Sequence, residues 1–291
     1  RQGDHFAVQG ELDANLLALL GVREAMLSGC GRGGCVVAVP ARLQSSRLPD
    51  KVLADIGGKP MIQRVLERCR EALAVEAVVL CTDSDKLQGM AEGWGFPVLM
   101  TSEACSSGSE RIASVASDLM ALAWREGLAV AERTAVINVQ GDQPFIDPAV
   151  IDAMAAEFQR LDPVPAVVTP VYALSADTVH NPNVVKTLLA HDGRARYFSR
   201  SAIPHVRDVD PADWHRHTTY WGHVGMYGFR GDVLAAWDEL PASPLEDLER
   251  LEQLRLIEAG HTIATFPVQG TSLSVDTAEQ LEQARAMVAD D

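Results

Sequence analysis

Apolar positions along this chain switch between two periods. "CVVAV" (35–39), "AVVLCT" (77–82) and "AVINVQ" (135–140) are short continuous apolar runs, the pattern of strands buried on both faces. Between them the apolar positions follow a helical period. "PMIQRVLERCREAL" (60–73) repeats at Met61, Ile62, Val65, Leu66 and Cys69. "SDKLQGMAEGWG" (84–95) reads as a helix and "PVLM" (97–100) as a short strand. "GSERIASVASDLMALAW" (108–124) reads as one helix with Ser109 at its cap. "DPAVIDAMAAEFQRL" (147–161) reads as a helix with Asp147 at the cap and Pro148 in the first turn. Alternation of this kind predicts an α/β fold, a mostly parallel central sheet with helices on both faces.

The later half is more mixed. "AVVTPVYAL" (166–174), "VVKTLLA" (184–190), "HVGMYGF" (223–229) and "TIATFPV" (262–268) read as strands, and "RARYFSRSAIP" (194–204) as an irregular or edge segment. "GDVLAAWDEL" (231–240) reads as a helix. "SPLEDLERLEQLRLIEAG" (243–260) reads as one long helix with Ser243 at its cap and Gly260 past its end. "DTAEQLEQARAMV" (276–288) closes the chain as a helix capped by Asp276 or Thr277. Residues 1–35 stand apart. "ELDANLLALLGVREAML" can form an amphipathic helix and "SGCGRGG" reads as a flexible linker, so an extension that is poorly ordered or loosely docked is expected before a domain over 36–291.

Composition narrows the classes. The 291 residues are 47% hydrophobic and 22% charged, enough to bury a core without staples. A net charge of −15 argues against nucleic acid, whose recognition needs a basic footprint. Five cysteines without a CxxC pair fit reduced thiols of a cytoplasmic protein. No run reaches membrane-spanning length, so no membrane partner is expected.

Against that acidity, "PARLQSSRLPDK" (40–51) places Arg42, Arg47 and Lys51 on one loop after the first strand. Such a loop can hold phosphate oxygens by charge-assisted hydrogen bonds, or it can be a solvated basic loop. "VINVQGDQP" puts Asp142 straight after a strand, either as a ligand for a hard cation or as a turn cap. "SVDTAEQL" offers Asp276, either a second metal carboxylate or a helix cap. Loops after strands of such a sheet share its carboxyl edge, where ligands bind. Taken together, two strand-end carboxylates and a basic loop suit phosphoryl transfer. "GCGRGG" (29–34) matches the dinucleotide pattern but precedes the first strand, so it is not read as a nucleotide site. His215, His217 and His223 lack the partners of a zinc set. No GxSxG supports serine catalysis.

Eight segments in order, "VPARLQSSRLPDKVLADIGGKPMI", "SGSERIASV", "VINVQGDQPFI", "NPNVVK", "YFSRSAIP", "HVGMYGF", "SPLEDLERLEQLR" and "VDTAEQLEQAR", resemble the 3-deoxy-manno-octulosonate cytidylyltransferase family from Val36 onward. The resemblance implies a Rossmann-like nucleotidyltransferase fold with a small dimerisation or sugar-side lobe, and a cytoplasmic homodimer. It implies transfer of CMP from CTP to the acid sugar Kdo, for lipopolysaccharide synthesis, with Mg2+ as cofactor. On these motifs Arg42, Lys51 and Asp142 would be catalytic, and Arg42, Arg47, Lys51, Ser107 and Gln140 would bind CTP. Gln140, Arg200, His223, Tyr227, Glu246 and Gln253 would bind the sugar, and Asp142 and Asp276 the metal. Gln143 departs from the family, which usually reads "QGDEP". Two alternatives stand beside this reading: a cytidylyltransferase for another acid sugar (sialic-acid-like or 8-amino), and a non-catalytic nucleotide-binding protein.

Overall fold

The structure is a computed structural model that describes residues 35–44, 48–122, 134–270 and 273–289. The helix and linker expected over 11–34, and Arg47, lie outside the described residues. In chain order the strands are β1 (Cys35–Ala41), β2 (Asp55–Ile56), β3 (Lys59–Pro60), β4 (Ala77–Thr82), β5 (Val98–Met100), β6 (Ala135–Asn138), β7 (Val167–Ala173), β8 (Lys186–Leu189), β9 (Ala195–Ser199), β10 (Trp221–His223), β11 (Tyr227–Arg230) and β12 (Ile263–Pro267). The chain forms two compact units: the described parts of Gly33–Val167, Met226–Leu240 and Thr271–Asp291, and those of Val168–Gly225 and Pro241–Gly270.

The first unit is built on strands in the order β5-β4-β1-β6-β11. β1 runs parallel to both β4 and β6, β4 runs parallel to β5, and β11 is antiparallel to β6. Every residue of β1 is buried, as its unbroken apolar run requires. The helix Met61–Arg70 buries Met61, Ile62, Val65, Leu66 and Cys69, the five positions picked out by the helical period. Helix Pro148–Arg160 starts as expected, with the Asp147 side chain accepting from Ala149 N and Pro148 in the first turn. The closing helix Ala278–Ala289 is capped by Thr277, whose Oγ1 accepts from Gln280 N at 3.2 Å; Gln280 Oε1 in turn accepts from the backbone of Asp276 and Thr277.

Four expected elements are divided, among them the helix over 231–240, which is Gly231–Ala235 followed by the 3-10 turn Trp237–Glu239. The helix drawn over 108–124 is two, Gly108–Ala113 and Ala116–Leu122, and its cap is Ser107, which accepts from Glu110 N at 3.1 Å. Ser109 is instead fully buried inside the first of them and accepts from Asn138 Nδ2 at 3.4 Å. The long helix over 243–260 is Pro244–Glu249 followed by Gln253–Glu258, because Arg250 takes a left-handed conformation (φ 55°, ψ 48°) that ends the first. The strand over 223–229 is split into β10 and β11, which belong to different units; no periodicity marks that break.

In the second unit β7, β10, β8 and β9 pair antiparallel in that order, and β12 lies beside β7. β9 ends that order, as the edge reading of 194–204 anticipates. Lys186, fully buried on β8, satisfies its three ammonium donors on three carbonyls: Asn181 (2.8 Å), Val184 (2.6 Å) and Arg200 (2.5 Å). Among the described residues no helix is long and apolar enough to cross a membrane.

Candidate active site

Parallel neighbours β1 and β6 open their carboxyl ends on one edge of the first unit. Two segments meet there tightly. A Cβ at Gly141 would stand 3.2 Å from Pro40 O and 3.1 Å from Ile62 Cδ1, so any larger residue in the turn after β6 would press on the end of β1 and make its neighbours give by a few tenths of an ångström. Asp142 follows, and its carbonyl accepts from Val275 N at 2.9 Å. That backbone bond, together with Val275 and Leu281 packed against Ile56 and Met61, docks the segment before the last helix and puts Asp276 beside Asp142.

Lys51 joins them. Asp50, in a left-handed conformation (φ 49°, ψ 29°), turns the basic loop into the short 3-10 turn Lys51–Leu53. From it the Lys51 ammonium donates to Asp142 Oδ2 at 2.7 Å and to Asp276 Oδ1 at 3.0 Å. Desolvation works against that charge, but the Asp142 carboxylate, its hydrogen bond and the bond to Asp276 outweigh it, and the Lys51 pKa lies above the ordinary value. Lys51 is 13% exposed along its side chain, so it is not the surface-loop lysine that the sequence suggests.

These residues border a cleft of about 270 Å³ lined also by Arg42, Ser107, Arg111 and Gln140. Arg42 is exposed at its rim. Gln140 Nε2 donates to Asn138 Oδ1 at 3.1 Å, and Asn138 reaches Ser109, so Gln140 is held through β6 to the helix Gly108–Ala113. A Cβ at Gly108 would stand 3.1 Å from Pro40 Cγ and 3.2 Å from Gln140 Oε1, which leaves that helix start free to pack on both.

Arg111 is the cleft residue the sequence reading missed. Its guanidinium, 3% exposed, pairs with Asp83 Oδ2 at 2.7 Å, donates to Thr101 Oγ1 and lies 3.4 Å from Ser102 O. The available signal was an arginine beside Ile112 on an otherwise core-facing turn; buried arginines are almost always paired.

The donor set suits a hard divalent cation. Asp142 and Asp276 present carboxylate oxygens with side chains 22% and 31% exposed. Among the described residues no group of three or more His, Cys, Asp or Glu could hold a metal, so two carboxylates would be completed by substrate oxygens, the mode magnesium favours. Gln143, next in sequence, is buried with Oε1 lacking a hydrogen-bond partner; a neutral amide there avoids burying another carboxylate.

Of the expected sugar-side residues, Tyr227 is a buried residue of the first unit, whereas Arg200, His223, Glu246 and Gln253 belong to the second. Arg200 follows β9, and its guanidinium donates to the carbonyls of Glu249 (2.7 Å) and Pro182 (3.1 Å), while its backbone N–H donates to Glu249 Oε2 at 2.9 Å. His223 Nε2 lies 2.9 Å from Thr169 Oγ1, and its ring stands edge-on to Phe198 at 4.9 Å. Burial pushes its pKa down to about 3. Glu246 accepts from Arg255 Nε at 2.6 Å, and Gln253 is buried at the start of its helix.

Comparison with known proteins gives consistent matches. Residues 36–263 match the family model described as Cytidylyltransferase. A 3-deoxy-manno-octulosonate cytidylyltransferase of Myxococcus xanthus is 40% identical over 253 residues, covering 87% of this chain and 96% of that protein. One from Porphyromonas gingivalis is 40% identical over 255 residues, covering 86% and 95%. A solved structure of a CMP:2-keto-3-deoxy-manno-octonic acid synthetase complexed with CTP superposes with a TM-score of 0.79 at 37% identity, covering 89% of this chain and 99% of that one.

Proposed function

We propose that this chain, which belongs to the cytidylyltransferase family, transfers CMP from CTP to 3-deoxy-D-manno-octulosonate (Kdo) and releases pyrophosphate. The observation that carries the reading is the convergence of Lys51, Asp142 and Asp276 on one cleft that Arg42 also borders. An otherwise acidic protein gathers cations there, next to carboxylates suited to a hard metal.

In the reaction the anomeric hydroxyl of Kdo attacks the α-phosphorus. The new P–O bond forms as the bond to the pyrophosphate oxygen breaks, and the hydroxyl proton is released. Arg42 and Lys51 are assigned to the phosphates, where their charge meets the negative charge that grows on the departing pyrophosphate. Arg47 is assigned to nucleotide or sugar, and Ser107 and Gln140 to the nucleotide. Asp142 and Asp276 would hold Mg2+, which when bound supplies charge neutralisation on the phosphate oxygens. For the sugar the candidates are Gln140, Arg200, His223, Tyr227, Glu246 and Gln253. The Kdo carboxylate calls for a cation or a hydrogen-bond donor, and Arg200 or His223 is assigned to it. The expected assembly is a homodimer, measured by light scattering on the purified protein.

The test is pyrophosphate release from CTP with a panel of acid sugars. Kdo-dependent release, abolished by EDTA and restored by Mg2+, is the expected outcome. Release that is independent of any sugar, or equal with ATP and GTP, would sink the proposal; preference for another acid sugar would redirect it.

A further inference from the structure

A pair of carboxylates gathered without a cation between them would repel. In this chain the position between Asp142 and Asp276 is taken by the protein's own ammonium, 2.7 Å from one oxygen and 3.0 Å from the other. A divalent cation bound through those same two oxygens needs that same position, and a second positive charge beside it is unfavourable. Ammonium and metal therefore compete for these oxygens.

We propose that the Lys51 ammonium is a built-in counter-ion that competes with a divalent cation for Asp142 Oδ2 and Asp276 Oδ1, and that it leaves these oxygens when the cation binds them. The inference rests on the assignment of those two carboxylates to a metal. A lysine suits this role, since its charge is compact and its four-carbon stem can swing without moving the backbone. The stem also starts from a turn whose backbone is fixed independently, by Lys51 N donating to Leu48 O at 3.2 Å and Ala54 N to Lys51 O at 3.0 Å. The nucleotide provides the destination, because the same cleft that holds the ammonium is the one assigned to the triphosphate. Metal and nucleotide then each favour the state in which Lys51 has left the carboxylates. Binding of either eases binding of the other, a coupling that linkage makes reciprocal and that commonly amounts to about 5–150-fold. The device keeps the carboxylates assembled when no substrate is present and disfavours occupation by metal alone.

The experiment measures Mn2+ binding to the full chain without nucleotide, by electron paramagnetic resonance of the free ion. Lys51→Met keeps the length of the side chain and removes its charge, and is expected to bind Mn2+ about ten-fold more tightly than the parent. Lys51→Arg keeps a cation and is expected to bind no more tightly than the parent. Melting curves give a second readout: Mn2+ should raise the melting temperature of Lys51→Met more than that of the parent, since a tighter ligand stabilises more. Parental or weaker Mn2+ affinity in Lys51→Met, or equal tightening in Lys51→Arg, overturns the counter-ion role. Asp142→Asn separates the two levels. If it binds Mn2+ as well as the parent does, the metal assignment itself fails; if it loses Mn2+ while Lys51→Met is unchanged, only the counter-ion role fails.

Discussion

Replacing Asp83 by Asn tests whether the cleft is held in shape by its buried arginine. The change keeps the side-chain shape and removes the charge facing Arg111. Breaking one side of a buried ion pair typically costs about 3–5 kcal/mol, because the remaining charge stays buried without its partner. The lower end applies here. The Asp83 side chain is 15% exposed, so water can partly replace it, and Arg111 keeps Thr101 Oγ1 and Ser102 O as acceptors. A loss of about 3 kcal/mol at roughly 2–3 °C per kcal/mol predicts a melting temperature lower by about 6–9 °C. The assay is thermal and urea unfolding of the parent, Asp83→Asn, Arg111→Met and the double variant. The double variant should lose about 2 kcal/mol less than the two single losses added together, since it no longer buries an orphan charge. Arg111→Met should also raise the KM for CTP, because that side chain lines the cleft. Additive losses, or an Asp83→Asn variant within about 1 kcal/mol of the parent, would refute the argument.

Other perturbations have equally definite outcomes. Gly141→Ala drives a methyl against Pro40 O and Ile62 Cδ1 and should lower kcat/KM for CTP about ten-fold, since sub-ångström shifts of a catalytic loop are costly; parental kinetics would show that the approach of the loop to β1 is not needed. Lys186→Met leaves three carbonyls without their donor and should cost about 3 kcal/mol in unfolding free energy, at about 1 kcal/mol per carbonyl; a neutral result would contradict the role given to the ammonium. His223 has a native pKa depressed to about 3 against an ordinary 6.5, so below pH 6.5 the unfolded chain binds the extra proton and the native state does not. Its contribution is therefore intact above pH 6.5 and is lost at up to about 1.4 kcal/mol per pH unit on acidification toward pH 3. The stability gap between the parent and His223→Gln should narrow from pH 7 to pH 4, and a constant gap would exclude a histidine held neutral in the native state.

Local pattern by itself determined much of this protein. Short apolar runs gave β1, β4 and β6, because a strand buried on both faces cannot alternate. The period of 61–69 gave a helix face that the structure buries residue for residue. Asp147–Pro148 and Ser243–Pro244 marked helix starts, because capping involves only neighbours in sequence. The motifs also brought Lys51, Asp142 and Asp276 forward as candidates. Only the tertiary structure decided how those three are arranged. Asp276 reaches Asp142 through the bond from Val275 N to Asp142 O, a contact between distant segments that no window of sequence contains. The same holds for the ammonium between the carboxylates, where the sequence suggested a metal alone. Arg111 was hidden because its meaning depends on Asp83, 28 positions away, and on burial. The breaks at Arg250, which takes a left-handed conformation, and between β10 and β11 were hidden for a related reason: each residue there fits the local period, so no window of sequence marks where the chain departs from it.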